Sequence, residues 1–196
     1  KRNLKGASEL RILLTGGSAC GKSTFGEALV TRLSAPRYYV ATMRPFGAES
    51  GQKIARHRKL REKKGFFTFE RYTNVAGLAL PERGTALLEC VCNLAANEMF
   101  DEQGEICAGA EDAVLGGIAA LERTCGDLIV VTNDVGSDDG AYPESTRAYI
   151  ELVGRVNRAL AARFECVCEL VCGIPLVVKG ELPGESTNTL EVEAQQ

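Results

Sequence analysis

Leu10-Arg11-Ile12-Leu13-Leu14-Thr15-Gly16-Gly17-Ser18-Ala19-Cys20-Gly21-Lys22-Ser23 joins an apolar run to a glycine-bounded loop and the start of a helical pattern. The run over residues 10–15 reads as a buried strand, and residues 22–33 carry apolar side chains at helical spacing. Between them, Gly16-x-x-x-x-Gly21-Lys22-Ser23 matches the Walker A pattern in the strand–loop–helix setting that the motif requires. Glycines let the backbone curl so that its N–H groups point at phosphate oxygens. The helix that follows offers its positive end to the same anion. Lys22 is expected to reach the β- and γ-phosphates, and Ser23 to ligate Mg²⁺. Gly16, Gly17, Ser18, Ala19, Cys20, Gly21, Lys22 and Ser23 are thus the expected phosphate-binding residues. The motif by itself leaves open ATP against GTP, and hydrolysis against transfer.

Working outward, apolar runs alternate with helical stretches. Strands are expected at residues 38–41, 68–72, 85–88 and 128–132, and one or two more over 165–178, broken near Gly173 and Pro175. Helices are expected at residues 52–64, 91–100, 110–123 and 145–163, the first ended by Gly65. Residues 101–109 read as a surface loop. The alternation implies an α/β fold: a P-loop NTPase-like (RecA-like) three-layer sandwich with a mainly parallel sheet. Residues 1–179 read as a single P-loop nucleotide-binding catalytic domain. Residues 180–196 hold several glutamates, Pro183 and Gly184 but no lysine or arginine, and read as an acidic, poorly ordered tail.

The 196 residues suffice for one domain with a real core. A net charge of −3 argues against non-specific nucleic-acid binding, which needs a basic face. No apolar run approaches the ~18 residues of a membrane span, and no N-terminal signal is visible, so a cytoplasmic protein is the simplest reading. Eight cysteines include no C-x-x-C pair and accompany a single histidine. They are expected to be small apolar core residues in a reducing compartment, not metal ligands or disulfides.

A P-loop is usually served by an acid at the end of a neighbouring strand, which holds the metal directly or through water. Glu89 and Asp134 are the candidates, and Glu89 is preferred because it follows its apolar run directly. Residues 53–64 carry seven lysines and arginines, one acid (Glu62) and His57. On a helix, Lys53, His57 and Arg61 share a face. One reading is a solvated basic face with a surface histidine. The other is a triphosphate-facing patch, in which cations favour a neutral, nucleophilic imidazole and stabilise phosphate charge.

The chain resembles the bifunctional adenosylcobinamide kinase / adenosylcobinamide-phosphate guanylyltransferase family of cobalamin biosynthesis. The resemblance rests on the phosphate loop, Tyr39-Val40-Ala41-Thr42-Met43, Ile54-Ala55-Arg56-His57-Arg58-Lys59-Leu60-Arg61 and Phe67-Thr68-Phe69-Glu70. Leu87-Leu88-Glu89-Cys90, Val131-Thr132-Asn133-Asp134-Val135-Gly136 and Gly154-Arg155-Val156-Asn157 continue it in the family's order. It implies that His57 attacks the α-phosphate of GTP, releasing pyrophosphate and leaving a GMP–histidine intermediate. The GMP then passes to adenosylcobinamide phosphate, giving adenosylcobinamide-GDP. A kinase step with ATP or GTP would first phosphorylate the aminopropanol hydroxyl of adenosylcobinamide. By the same resemblance, Lys22 joins His57 as catalytic. Ala41, Thr42, Met43, Arg58, Lys59, Leu60, Arg61, Glu70 and Glu89 surround the nucleotide, and Ser23 and Glu89 serve Mg²⁺. A homotrimer is implied, with the corrinoid and GTP or ATP as partners. Two other functions fit the residues alone: a P-loop kinase of another small molecule, in which His57 is structural, and a non-catalytic GTP-binding sensor.

Overall fold

The computed structural model describes residues 9–45, 59, 61, 64–136 and 140–184. The opening stretch folds as strand β1 (Arg11–Thr15) and helix α1 (Lys22–Arg32). Strands β2 (Arg37–Ala41) and β3 (Phe66–Glu70), a 3-10 turn (Val75–Gly77), and strand β4 (Thr85–Glu89) follow. Then come α2 (Val91–Met99), α3 (Ala110–Thr124), β5 (Leu128–Val131), α4 (Glu144–Arg163), β6 (Cys166–Val171) and β7 (Ile174–Lys179). The strands form one seven-stranded sheet in the order β3-β2-β4-β5-β1-β6-β7. Every neighbouring pair is parallel except β6 and β7. This is the expected α/β P-loop architecture.

Burial explains why the central strands read as continuous apolar runs. Ile12, Leu14, Leu87, Leu88, Ile129 and Val130 are all 0% exposed, so both faces of the sheet are covered. Tyr39 is paired with Leu87, and Ala41 with Glu89. Because side chains alternate along a strand, Tyr39, Leu87 and Glu89 share one face. Helix α1 covers that face, lying over β1, β5 and β4. Gly26 lets it approach closely, since a Cβ there would stand 3.2 Å from both Leu14 and Leu87.

One expected strand needs correction, and the choice left open over residues 165–178 resolves into two strands. The strand placed at residues 68–72 runs Phe66–Glu70, because pairing with the whole of β2 sets its length: Phe66 lies opposite Arg37 and Glu70 opposite Ala41. Residues 165–178 form two strands joined by a hairpin turn, with Cys172 at φ 51° and Gly173 at φ 84°. Pro175 is tolerated in β7 because that strand closes the sheet edge. Of the helix expected over 52–64, Lys59 and Arg61 are helical, and Gly65 turns the chain at φ 70°. His57, Arg58 and Leu60 lie outside the described residues.

No disulfide joins any of the eight cysteines. Five of them are buried as expected, whereas Cys107 and Cys172 lie exposed on loops and are not core residues. Packing continues past Lys179, for Leu182 is only 4% exposed; residues 185–196 lie outside the described residues. Among the described residues no helix is long and apolar enough to cross a membrane.

Candidate functional site

The phosphate loop leaves β1 through Gly16 at φ 129° and enters α1 through Gly21 at φ 102°. A Cβ on Gly16 would come within 2.5 Å of the Leu170 carbonyl on β6, so neither the angle nor the space admits another residue. Ala19 also adopts a left-handed conformation, at φ 58°. The loop is tied down on two sides: the Asp134 amide donates to the Gly16 carbonyl at 3.3 Å, and the Gly173 amide to the Cys20 carbonyl at 2.9 Å. No side chain caps α1, and its first turn holds no acid. The positive end of the helix therefore faces the loop without a competing anion from its own first turn.

Lys22 is buried, with its ammonium folded into the loop. Nζ donates to the Gly16 carbonyl at 2.8 Å and the Gly17 carbonyl at 2.5 Å. The Ser23 hydroxyl donates to Glu89 Oε1, and the Tyr39 hydroxyl donates to Oε2 of the same carboxylate at 2.8 Å. Ser23 reaches β4 because α1 lies across β5, the strand between β1 and β4. Asp134, the rival acid, is exposed, and its hydrogen bond to the loop comes from its main chain. The geometry favours Glu89 as the acid that works with Ser23.

Thr42 is fully buried, and its hydroxyl is committed to the backbone. Oγ1 donates to the Cys90 carbonyl at 2.8 Å and accepts from the Cys90 amide at 2.6 Å, while the Thr42 amide donates to the Glu89 carbonyl at 2.9 Å. Thr42 thus fixes the end of β4 and leaves its hydroxyl no reach toward a ligand. Ala41 and Met43 flank it, half-buried. Glu70 lies in register with Ala41 and accepts from the Tyr72 hydroxyl at 2.9 Å. Glu70 and Glu89 therefore flank Ala41 at the carboxyl ends of their strands.

The basic segment reaches this site through its last turn. Lys59 is exposed, whereas Arg61 is 5% exposed. The Arg61 guanidinium lies 3.5 Å from the centroid of the Tyr39 ring, and its Nη1 stands 3.9 Å from Glu27 Oε1. Lys64 Nζ contacts Glu27 Oε2 at 2.5 Å. Glu27 belongs to α1 and is 2% exposed. Burial, and then the Glu89 charge, push the Tyr39 phenol far above the ordinary tyrosine range, so it is a fixed donor.

The sequence alone assigns no role to Tyr39 or Glu27. Their signals were present: an aromatic hydroxyl in a buried strand, and an acid four residues after Ser23, on the same helical face. Among the described residues no cluster of three or more His, Cys, Asp or Glu could hold a metal. A hydroxyl and one carboxylate beside a phosphate loop suit instead a hard cation that takes its other ligands from phosphate and water.

A family described as cobinamide kinase / cobinamide phosphate guanyltransferase matches residues 12–178. The bifunctional adenosylcobalamin biosynthesis protein CobU of Escherichia coli K12 is 34% identical over 187 residues, covering 87% of this chain and 100% of that protein. The bifunctional adenosylcobalamin biosynthesis protein CobP of Pseudomonas aeruginosa is 30% identical over 174 residues, covering 88% and 99%. Among solved structures, one ATPase domain is similar with a TM-score of 0.51 at 9% identity, over 88% of this chain and 77% of that one. A prototypical ATPase from the type III secretion system of pathogenic bacteria is similar with a TM-score of 0.50 at 12% identity, over 84% of this chain and 51% of that one. At such identities the likeness is one of fold.

Proposed function

Because this chain belongs to the cobinamide kinase / cobinamide phosphate guanyltransferase family, and so to the transferases of cobalamin biosynthesis, we propose that both family reactions use its one phosphate loop. In the first, ATP or GTP phosphorylates the aminopropanol hydroxyl of adenosylcobinamide. In the second, a His57 imidazole nitrogen attacks the α-phosphorus of GTP. The α–β anhydride bond breaks, pyrophosphate leaves, and a phosphorus–nitrogen bond holds GMP on His57. A phosphate oxygen of adenosylcobinamide phosphate then displaces the imidazole, giving adenosylcobinamide-GDP.

The observation that carries this reading is the burial of Glu27 against Arg61 and Lys64. It fastens Arg61 and Lys64, at the C-terminal end of the basic segment, to α1, the helix that begins at the phosphate loop. Loop amides and the end of α1 would cradle the phosphates, and Lys22 would exchange its carbonyl partners for phosphate oxygens. Ser23 and Glu89 would hold Mg²⁺, which when bound neutralises charge on the β- and γ-phosphates. Arg61, Lys59 and Arg58 would add positive charge along the segment. A homotrimer and a cytoplasmic location complete the proposal, the latter in keeping with eight cysteines that form no disulfide.

The test is GTP labelled in its α-phosphate. The wild type should acquire acid-labile, base-stable label that His57→Ala loses. An unlabelled wild type removes the transferase mechanism. Full turnover in His57→Ala with none in Lys22→Ala would point to a P-loop kinase of another small molecule. Tight GTP binding with no turnover, and a nucleotide-dependent change of assembly, would point to a sensor.

A further inference from the structure

We propose that Tyr39 is a positioning residue that sets the Glu89 carboxylate and couples it to Arg61 of the basic segment. This rests on the reading of Glu89 as the acid that works with Ser23 at the phosphate loop. Glu89 is held in two independent ways. Its main chain is fixed by Thr42, whose amide donates to the Glu89 carbonyl at 2.9 Å. Its side chain is shared between two hydroxyls, with Ser23 on Oε1 and Tyr39 on Oε2. Ser23 is the partner that a cation would recruit, so the orientation of the carboxylate then rests on Tyr39.

The other side of Tyr39 faces the basic segment. The Arg61 guanidinium covers the ring at 3.5 Å, and Phe66 meets the ring edge-on with centroids 6.1 Å apart. Arg61 Nε and Nη1 are buried and donate no hydrogen bond among the described residues, and the Glu27 carboxylate, at 3.9 Å, stands beyond hydrogen-bond reach of Nη1. The ring face therefore supports this charge together with the more distant Glu27 carboxylate. A cation over a ring is a softer restraint than a bidentate ion pair. Displacing Arg61 tilts the ring, and the hydroxyl on its far end moves with it. Placement of the basic segment is in this way passed to the carboxylate beside Ser23.

Mn²⁺ with β,γ-imido-GTP provides the test, read by electron paramagnetic resonance. Tyr39→Phe keeps the ring and the Arg61 contact but loses the hydroxyl. It should weaken Mn²⁺ binding to the protein–nucleotide complex about tenfold and leave metal-free nucleotide binding within about twofold, a split that general damage to the fold would not produce. Arg61→Lys keeps the charge near Glu27 and loses the planar stack. Its effect on Mn²⁺ should be non-additive with that of Tyr39→Phe. Glu89→Gln is the control. If Glu89→Gln weakens Mn²⁺ binding and Tyr39→Phe does not, the positioning role is overturned. If the two single effects simply add, the coupling to Arg61 is overturned. If Glu89→Gln changes nothing, the reading of Glu89 itself fails and this proposal falls with it.

Discussion

The Gly173 amide donates to the Cys20 carbonyl at 2.9 Å, so the tip of the β6–β7 hairpin braces the phosphate loop from outside the motif. Gly173 has φ 84°, a conformation that costs a side chain even though the space around it is open. Gly173→Ala should lower stability by about 1 kcal/mol and weaken nucleotide binding with it. Thermal melts and nucleotide titrations on the same protein check this. A lowered melting temperature with unaltered nucleotide affinity would show that the brace does not matter to the loop.

Gly16 and Gly17 are neighbours in the motif with opposite tolerances. Gly16→Ala should cost at least about 2 kcal/mol, because strain at φ 129° adds to a collision with the Leu170 carbonyl. Nothing lies within 4 Å of a Cβ on Gly17. Gly17→Ala should stay within about 0.5 kcal/mol of the parent in stability. Denaturant unfolding of both variants decides the matter, and equal costs would contradict it.

Glu27→Gln should be among the most damaging single changes away from the loop. It leaves the Arg61 charge buried without its carboxylate, and loss of one member of such a pair costs about 3 kcal/mol. Labelling from α-phosphate-labelled GTP should fall further than nucleotide binding does. Comparable losses in both would separate the basic segment from the transfer step.

Tyr39 should resist alkaline titration. Its folded-state pKa is raised by burial and by Glu89, far above the unfolded value near ~10. The group therefore stabilises the fold fully below that unfolded value, and the contribution is lost as pH climbs beyond it. Tyr149 is raised in the same direction by burial and by Cys92. In an ultraviolet titration of the five tyrosines, these two should ionise only as the protein unfolds. A Tyr39→Phe difference curve that shows early ionisation at this position would refute the assignment.

The phosphate loop was legible because its chemistry is local: glycines, a lysine and a serine at fixed spacing between a strand and a helix. The central strands were legible because they are buried on both faces. Glu89 could be preferred over Asp134 from the sequence, but its link to Ser23 depends on α1 crossing β5, which no local pattern states. Tyr39, Glu27 and Arg61 meet across elements far apart in the chain, and a buried acid in a helix looks in sequence like any surface glutamate. The bounds of β3 differ from the expected 68–72 because its partner β2, not its own residues, sets where it starts.

Gly26 has a consequence well away from its own surroundings. The hydroxyl of Ser23 and the carboxylate of Glu89 come from structures separated by an intervening strand, so the gap between them depends on how low the helix rides over the sheet. At Gly26 the helix rides so low that an added Cβ would stand 3.2 Å from the tips of both Leu14 and Leu87. Any residue that props the helix up there works like a shim under a bearing, widening the Ser23–Glu89 gap without touching either residue.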